Sequence, residues 1–550
     1  MGHRKNQIPL IHFTSYFLIF GILFLQFPLN DSLPGNCDTW LTISLSNTYL
    51  NKLHSFLDGS FLGTSMFPIS NIHSYGEASP GMALIFILFK LLVGNDIWAI
   101  YFLITLGYAL NAIGANYFSQ LFKKDPSINW LSGFFFAGSN FFLANLDDFP
   151  IFFYFFFCLS LYFLLKWKEV SHKKFLYYSA IVGGLQIYFS VYIFIFLAIA
   201  ITILWIFEIK DFTHLFKYIG VFFLISLPMV LFYLHSHIFL DVVNPWADLE
   251  VITRGSLGFF DLFNPLPDNL IYPHQQKLFP QLGYWPFIRR HAFLGIIVIG
   301  FGIKGLFNSE IKKELKIIFL IGLILALGPY FKAYHFRIPS PLLLIYKTLP
   351  ISSFLRVPLR AYSLCALSLS IMAGLEISKF LPRTFYKKLF AVSLFAGAFF
   401  IENIPFPLNK YYAKDLITWP EQKVKFKGTI LNLPSDAGGR TLAEAGDRVF
   451  AYNRELIYMN WQTQHKQNIL NGANGYYPKS RIEIQKYIDI VPNGASLGIL
   501  SEIGVKYIIF HKNLVLNAKE NLILERLTKS PYLKNFKNNK DISIFKLKSI

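Results

Sequence analysis

The hydrophobic pattern of the chain is one of long apolar runs separated by short polar segments, most of them basic. A helix needs roughly 17–25 apolar residues to cross a bilayer core about 30 Å thick. We therefore expect a polytopic α-helical membrane protein with about eleven transmembrane helices, near residues 8–28, 96–118, 128–145, 149–165, 175–190, 191–207, 216–236, 291–307, 317–331, 361–379 and 389–403.

The segment 81–94 is apolar but short, and it contains Lys90. As a helix, its apolar part from Gly81 to Val93 would rise about 20 Å, which is less than the hydrocarbon core. We predict that this segment is a helix lying in the membrane interface rather than a span.

The basic residues support this topology, because Lys and Arg are retained on the cytoplasmic side. With the N-terminus in the cytoplasm, the inner segments hold about 18 Lys or Arg in about 59 residues, against about 11 in about 156 residues outside. Counting 81–94 as a span would move the later basic pairs outside: Lys123-Lys124, Lys173-Lys174, Lys312-Lys313 and Lys387-Lys388. The charge pattern therefore favours eleven spans.

This topology places a long first loop, 29–95, and the tail on the outer face. Past Pro405 the apolar runs shorten and charges recur every few residues. Gly428 to Leu433 and Val505 to Phe510 indicate buried strands, and 480–490 indicates an amphipathic helix. We divide the chain into a transmembrane domain, 1–403, and a small extracytoplasmic α/β domain, 404–550.

Composition agrees with the membrane class: 54% of the residues are hydrophobic, 18% are aromatic and 15% are charged. The net charge of +19 is spread as short clusters between apolar runs rather than gathered in one patch, so we do not expect nucleic acid as a partner. Phosphate-binding glycine loops and nucleophile elbows are absent from the sequence, and an ATP-driven mechanism is unsupported.

The first candidate for chemistry is Asp38, which follows the first span directly and would lie at the membrane surface. The residues after it, Leu41 to Leu57, have apolar positions near helical spacing and predict an interfacial helix. Asp38 would then serve either as a reactive carboxylate or as the N-cap of that helix. Position alone favours neither.

Two further candidates lie in later outer segments. Asp147 and Asp148 form an adjacent acidic pair in a short turn, where they would face water, pair with a cation or bind a metal. Arg356 and Arg360 precede the tenth span. Two arginines there would either bind a lipid-linked phosphate or place their charged ends at the membrane interface, with the aliphatic part of each side chain in the apolar region.

The layout resembles the GT-C superfamily of membrane glycosyltransferases. Gly35-Asn36-Cys37-Asp38 stands where that family carries its acid, and Ser79-Pro80-Gly81 resembles the end of its first loop. The segment Arg356 to Arg360 is similar to late Arg-rich segments of bacterial members. Two stretches of the tail, Tyr458 to His465 and Asn471 to Tyr476, look like those of large bacterial relatives.

The resemblance implies transfer of a sugar from a polyprenyl-phosphate carrier to a glycan, lipid or protein acceptor at the outer face of the bacterial plasma membrane. Asp38 would be the base, and Arg356 and Arg360 would hold the phosphate. In the oligosaccharyltransferase branch, second-loop acids bind a divalent metal, which would assign Mg²⁺ or Mn²⁺ to Asp147 and Asp148. Here the two acids are adjacent rather than separated by one residue.

An alternative is a non-catalytic membrane protein on a similar scaffold, such as a lipid or polysaccharide transporter or an assembly partner. Transporters usually carry internal repeats and functional polar residues at the midplane. No clear repeat is visible, and the midspan polar residues Asn111, Asn116, Asn140 and Gln186 are uncharged. The sequence therefore favours an enzyme acting on the outer face.

Overall fold

The computed structural model of the chain describes residues 2–35, 37–58, 63–68, 73, 76–146, 148–239, 242–243, 248–266, 269–272, 291–333, 336–348, 355–405, 408, 410–421, 426–435 and 448–548. Helices dominate its first three quarters, and most of its longer strands lie in the tail.

The helices follow the apolar runs. In the first half they are α1 Gly2–Phe24, α2 Gln26–Leu29, α3 Cys37–Asp58, α4 Pro80–Val93, α5 Asp96–Ser119, α6 Pro126–Ala137, α7 Asn140–Ala144, α8 Phe155–Val170, α9 Lys173–Leu185, α10 Val191–Leu204, α11 Phe212–Phe239 and α12 Leu249–Arg254. In the second half they are α13 Ile296–Phe307, α14 Lys313–Leu327, α15 Leu343–Thr348, α16 Tyr362–Ile377, α17 Phe385–Asn403, α18 Lys414–Ile417, α19 Arg448–His465, α20 Lys479–Ile488, α21 Gly494–Glu502 and α22 Ala518–Lys529.

The strands are short before the tail: β1 Ser32–Pro34, β2 Val242–Val243, β3 Tyr330–Ala333, β4 Phe336–Pro339 and β5 Lys410–Tyr412. In the tail they are β6 Thr429–Leu433, β7 Tyr477–Pro478, β8 Val505–His511, β9 Leu533–Asn538 and β10 Ile542–Leu547.

Within the described residues, five helical stretches are long and apolar enough to cross a membrane: Pro9–Leu29, Asp96–Ser119, Val191–Ile209, Phe212–His235 and Pro358–Ile377. The helices Pro80–Val93 and Ile296–Phe307 are apolar but shorter. The chain is a polytopic helical membrane protein with a small C-terminal α/β region, as expected. The number of spans and their orientation stay predictions.

Several expected spans differ in detail. The run 128–145 is not one helix, because α6 ends at Ala137 and α7 begins at Asn140. The backbone N–H of Asn140 donates to Asn403 Oδ1 at 3.3 Å, a contact across the fold that local sequence does not show. Similarly, α13 begins at Ile296 rather than at 291. At Ile296 and Ile297, the first backbone N–H groups of the helix donate hydrogen bonds to the Glu402 carboxylate.

The chain divides into two compact units. The first consists of Met1–Leu29, Tyr101–Val230 and Trp246–Lys410, and the second of Asn30–Ile100, Leu231–Pro245 and Tyr411–Ile550. The sequence-based division at 403/404 kept the tail together but placed the first outer loop with the transmembrane part. In the structure, most of that loop groups with the tail.

The first unit is built by close helix packing at glycines. Gly302 and Gly305 of α13 face Leu369 and Met372 of α16 so closely that an added Cβ would lie within 3.0 Å of their side chains. Gly322 of α14 meets the same helix at Leu364. Small residues let helix backbones approach where lipid supplies no hydrophobic driving force.

The second unit contains a four-stranded sheet in the order β6-β8-β10-β9. Strand β6 is parallel to β8, while β10 is antiparallel to β8 and β9. The predicted strands at 428–433 and 505–510 and the predicted helix at 480–490 are confirmed as β6, β8 and α20. Helices α20, α21 and α22 contribute side chains to the apolar core of the sheet.

Candidate functional site

Asp38 lies in the first turn of α3, which begins one residue earlier at Cys37. It is half-buried, between a fully buried Thr39 and the preceding strand β1. Thr39 Oγ1 donates to the Pro34 carbonyl at 2.6 Å, which fixes the entry into the helix. Asp38 therefore lies inside the helix rather than at the N-cap, where the positive end of the helix dipole favours its charge.

A polar seam joins α3 to α19 within the second unit. Ser44 Oγ donates to the Leu456 carbonyl at 3.0 Å, and Asn47 Nδ2 lies 3.2 Å from Asn460 Oδ1. These contacts use buried groups that would be costly to leave unpaired. The stretch Tyr458 to His465, noted in the sequence only by resemblance, therefore helps to hold the helix that carries Asp38.

The second stretch of the tail, Asn471 to Tyr476, also contacts the segment between α3 and α4. The backbone N–H of Met66 donates to the Asn471 carbonyl at 2.9 Å. The Gly472 N–H donates to the buried carboxylate of Glu455 at 2.8 Å. A Cβ added to Gly472 would lie 2.9 Å from Met66 Cγ, so this turn and Met66 are closely packed. Sequence reasoning missed Glu455, because nothing local links it to this turn.

Lys90, the charged residue of the short apolar helix α4, is ion-paired. Its Nζ lies 2.7 Å from Asp96 Oδ1 and 2.6 Å from Asn47 Oδ1. The opposite face of α4 is apolar and exposed, at Leu84, Leu88, Leu91 and Leu92. This separation of a paired charge from an exposed apolar face is what an interfacial helix requires.

His73 lies between α3 and α4, and the centroid of its ring is 4.1 Å from that of the Tyr49 ring. Both ring nitrogens are buried and have no hydrogen-bond partner among the residues that the structure describes. Burial, and then the positive charge of Lys52, lowers the pKa of His73 to about 3. The imidazole is therefore neutral at any physiological pH.

The first unit carries the candidate phosphate-binding and metal-binding residues. Arg356 is half-buried just before the 3₁₀ turn Pro358–Ala361, and Arg360 lies within that turn. Nη2 and Nε of Arg360 lie 2.7 and 2.8 Å from Asp148 Oδ2. The guanidinium carbon stands 4.3 Å from the ring centroid of Tyr192.

The structure thus joins two candidates that the sequence assigned to different tasks. Asp148 contacts Arg360, and Asp147 lies outside the described residues. Within the part of the chain that the structure describes, no three His, Cys, Asp or Glu residues cluster as metal ligands would. A guanidinium on the Asp148 carboxylate opposes a second cation there. The described residues therefore do not fit a metal, and metal binding stays a prediction.

Comparison with solved structures shows which known fold the chain resembles. No family model matches the chain, and no match was found among curated proteins. The structure is similar to that of ArnT from Cupriavidus metallidurans bound to undecaprenyl phosphate, with 10% sequence identity and a TM-score of 0.51. The match covers 98% of this chain and 97% of that one.

The chain has a GT-C-like fold. Two weaker similarities were also found. The oligosaccharyltransferase of Archaeoglobus fulgidus in its apo form matches with 12% identity and a TM-score of 0.45, over 91% of this chain and 69% of that one. ArnT of Cupriavidus metallidurans in the apo state matches with 12% identity and a TM-score of 0.41, over 98% and 97%.

Proposed function

We propose that the protein is an inverting membrane glycosyltransferase that moves a sugar from a polyprenyl-phosphate carrier to an acceptor on the outer face of the plasma membrane. The observation that carries this proposal is the GT-C-like fold over nearly the whole chain, shared with a protein that binds undecaprenyl phosphate. A fold hosts many functions, so the residues must supply the chemistry.

In this reaction a hydroxyl of the acceptor attacks the anomeric carbon, and the bond from that carbon to the phosphate oxygen breaks. Asp38 accepts the hydroxyl proton as the new carbon–oxygen bond forms. The departing polyprenyl phosphate keeps the bonding electron pair, and Arg356 and Arg360 stabilise its growing charge. Each step uses a group that this chain itself provides.

The position of Asp38 supports its role. Its half-buried carboxylate lies in the first turn of α3, and the next two residues, Thr39 and Trp40, are buried. The seam from α3 to α19 fixes the helix along its length. A base must stay within hydrogen-bond reach of the proton that it accepts, and a rigid helix start provides that placement.

The test is sugar transfer from a panel of labelled polyprenyl-phosphate sugars, using membranes that contain the protein. Asp38→Asn keeps the side-chain volume but cannot accept a proton. We expect transfer to fall by about 10²–10⁴-fold, while membrane insertion and the amount of folded protein stay unchanged.

The matched control is Asp415→Asn, which neutralises an exposed carboxylate of the same unit in α18. It should leave transfer unchanged. Full activity in the Asp38→Asn variant would remove Asp38 from the mechanism. Absence of transfer from every donor by the unmodified protein would instead favour the non-catalytic alternative.

A further inference from the structure

We propose that Asp148 is a positioning residue, whose carboxylate orients the Arg360 guanidinium toward the phosphate of the donor lipid and does not ligate a metal. This inference rests on the proposed function, because it assigns Arg360 a phosphate to bind. It changes the role that the sequence analysis gave to Asp148, which was that of a metal ligand.

The contact between the two side chains is close and sheltered. Nε donates to Asp148 Oδ2 at 2.8 Å, and Nη2 lies 2.7 Å from the same carboxylate oxygen. The side chains are only 12% and 15% exposed, for Arg360 and Asp148 respectively. An ion pair with this geometry and little water around it fixes the torsion of a long side chain more strongly than a surface pair does.

A second contact fixes the plane of the guanidinium. The ring of Tyr192, buried at the start of α10, lies 4.3 Å from the guanidinium carbon. Arginine stacks on aromatic faces through its delocalised charge. With one edge on Asp148 and one face on Tyr192, the plane and the direction of the guanidinium are set.

The backbone of Arg360 is held as well. Its carbonyl accepts a hydrogen bond from Ser363 Oγ at 2.8 Å, and the neighbouring Leu359 N–H donates to the Gly255 carbonyl at 3.0 Å. The turn before α16 is therefore fixed at both its main chain and its functional side chain. This arrangement is expected of a group that must meet a ligand in one orientation.

The alternative roles of Asp148 make different predictions. A carboxylate that only neutralised Arg360 would weaken the attraction of phosphate, so its removal would lower the donor KM. A metal ligand would act whether or not Arg360 were present. A positioning residue acts only through Arg360, and its loss raises the donor KM.

The experiment is a double-mutant cycle on the full-length protein with Asp148→Asn, Arg360→Gln and the combined variant. We expect Asp148→Asn to raise the donor KM about tenfold, equivalent to losing one well-formed contact. In the Arg360→Gln background, Asp148→Asn should have no further effect. Binding of undecaprenyl phosphate to the purified protein should follow the same pattern.

The matched control is Asp125→Asn, which removes another partly buried ion pair of the same unit, with Lys388. Asp125 also caps α6, and Asn caps a helix about as well as Asp. This variant should leave the donor KM unchanged.

Each other outcome has a distinct meaning. A lowered KM in Asp148→Asn, or an effect that adds to that of Arg360→Gln, would overturn the positioning role. If a metal chelator inhibits transfer by the unmodified protein but not by Asp148→Asn, Asp148 is a metal ligand and the positioning role is wrong. If the unmodified protein neither transfers sugar nor binds undecaprenyl phosphate, the proposed function fails; if it binds and Asp148→Asn binds equally well, only this inference fails.

Discussion

The two compact units handle charge differently. In the first unit the helices pack at small residues such as Gly302 and Gly322. The sheltered Asp148–Arg360 pair of this unit contains an arginine that is proposed to bind the donor phosphate. In the second unit, Arg454 is 1% exposed and forms two hydrogen bonds to Glu520 within the folded domain. In these two examples, a sheltered ion pair of the first unit is proposed to orient a ligand-binding group, whereas a buried ion pair of the second unit holds its fold together.

The strongest test of this comparison removes both arginines of the first unit. Replacing Arg356 and Arg360 by Gln should reduce the use of donor lipid by about 10²–10⁴-fold, because each charge-assisted phosphate contact contributes about 1.5–3 kcal/mol. Because Asp148 loses its partner in this variant, the melting temperature in detergent should fall, and transfer is therefore compared at equal amounts of folded protein. Dependence of transfer on donor concentration gives the measurement, and unchanged dependence would reduce both arginines to interfacial anchors.

The corresponding change in the second unit is Arg454→Met. Removing one partner of a buried ion pair leaves Glu520 without its guanidinium, so the free energy of unfolding should fall by about 3–5 kcal/mol. Hydrogen exchange of the amides in β8 reports the opening of this unit. Lys529→Met is the control, since its pair with Glu525 is 73% and 57% exposed and contributes about 0.2–1 kcal/mol.

A loss in Arg454→Met no larger than that in Lys529→Met would contradict the role of buried charge in folding. Loss of sugar transfer in Arg454→Met without faster hydrogen exchange in β8 would assign Arg454 a role in function rather than in folding.

Acid should weaken the second unit through its buried histidines. His511 is fully buried, and burial, followed by the charge of His465, lowers its pKa to about 3. Because the pKa in the unfolded chain is near 6.5, the stability is present above that pH and is lost as the pH falls toward 3. At pH 5 the loss is about 2 kcal/mol for each such histidine.

The pH dependence of hydrogen exchange in β8 measures this effect, corrected for the intrinsic exchange rate. His511→Gln should flatten the dependence between pH 6.5 and 5, while His54→Gln, at an exposed position, should not. An unchanged slope in His511→Gln would show that this histidine is not the group that titrates.

The smallest effect concerns helix packing in the first unit. A Cβ on Gly322 would lie 2.7 Å from Leu364 Cβ and 2.9 Å from the Cys365 nitrogen. Gly322→Ala should therefore lower the melting temperature in detergent, with a cost of about 1–3 kcal/mol. Gly397→Ala is the control, because no atom of the described part of the chain lies within 4 Å of its added Cβ. Equal melting temperatures in the two variants would argue against close packing at Gly322.

The sequence predicted those features that depend on local pattern. Apolar length located the helices, and short buried runs located β6 and β8. It could not predict the break between α6 and α7, where a contact from Asn403 in α17 competes with helix continuation. Periodicity reports which face of one element is apolar, and not which distant group meets its end.

The candidate site shows the same limit more sharply. The residue types of Asp38, Asp148 and Arg360 identified them as candidates. In the structure Asp38 lies in the first turn of α3, and Asp148 and Arg360 form an ion pair. The contact of Asp148 with Arg360 spans 212 positions and leaves no local signal. Glu455 was missed for that reason too, since its hydrogen bonds to Ser435 and Gly472 depend on the folded tail.

The seam between α3 and α19 has a consequence for how the protein is made. Ser44 and Leu456, which it joins, are 412 positions apart. At a synthesis rate of about 5–20 residues per second, the first segment waits roughly 20–80 s for its partner. During that interval α3 lacks its hydrogen bonds to α19, so a ribosome that stalls before residue 448 leaves the helix that carries Asp38 without these contacts.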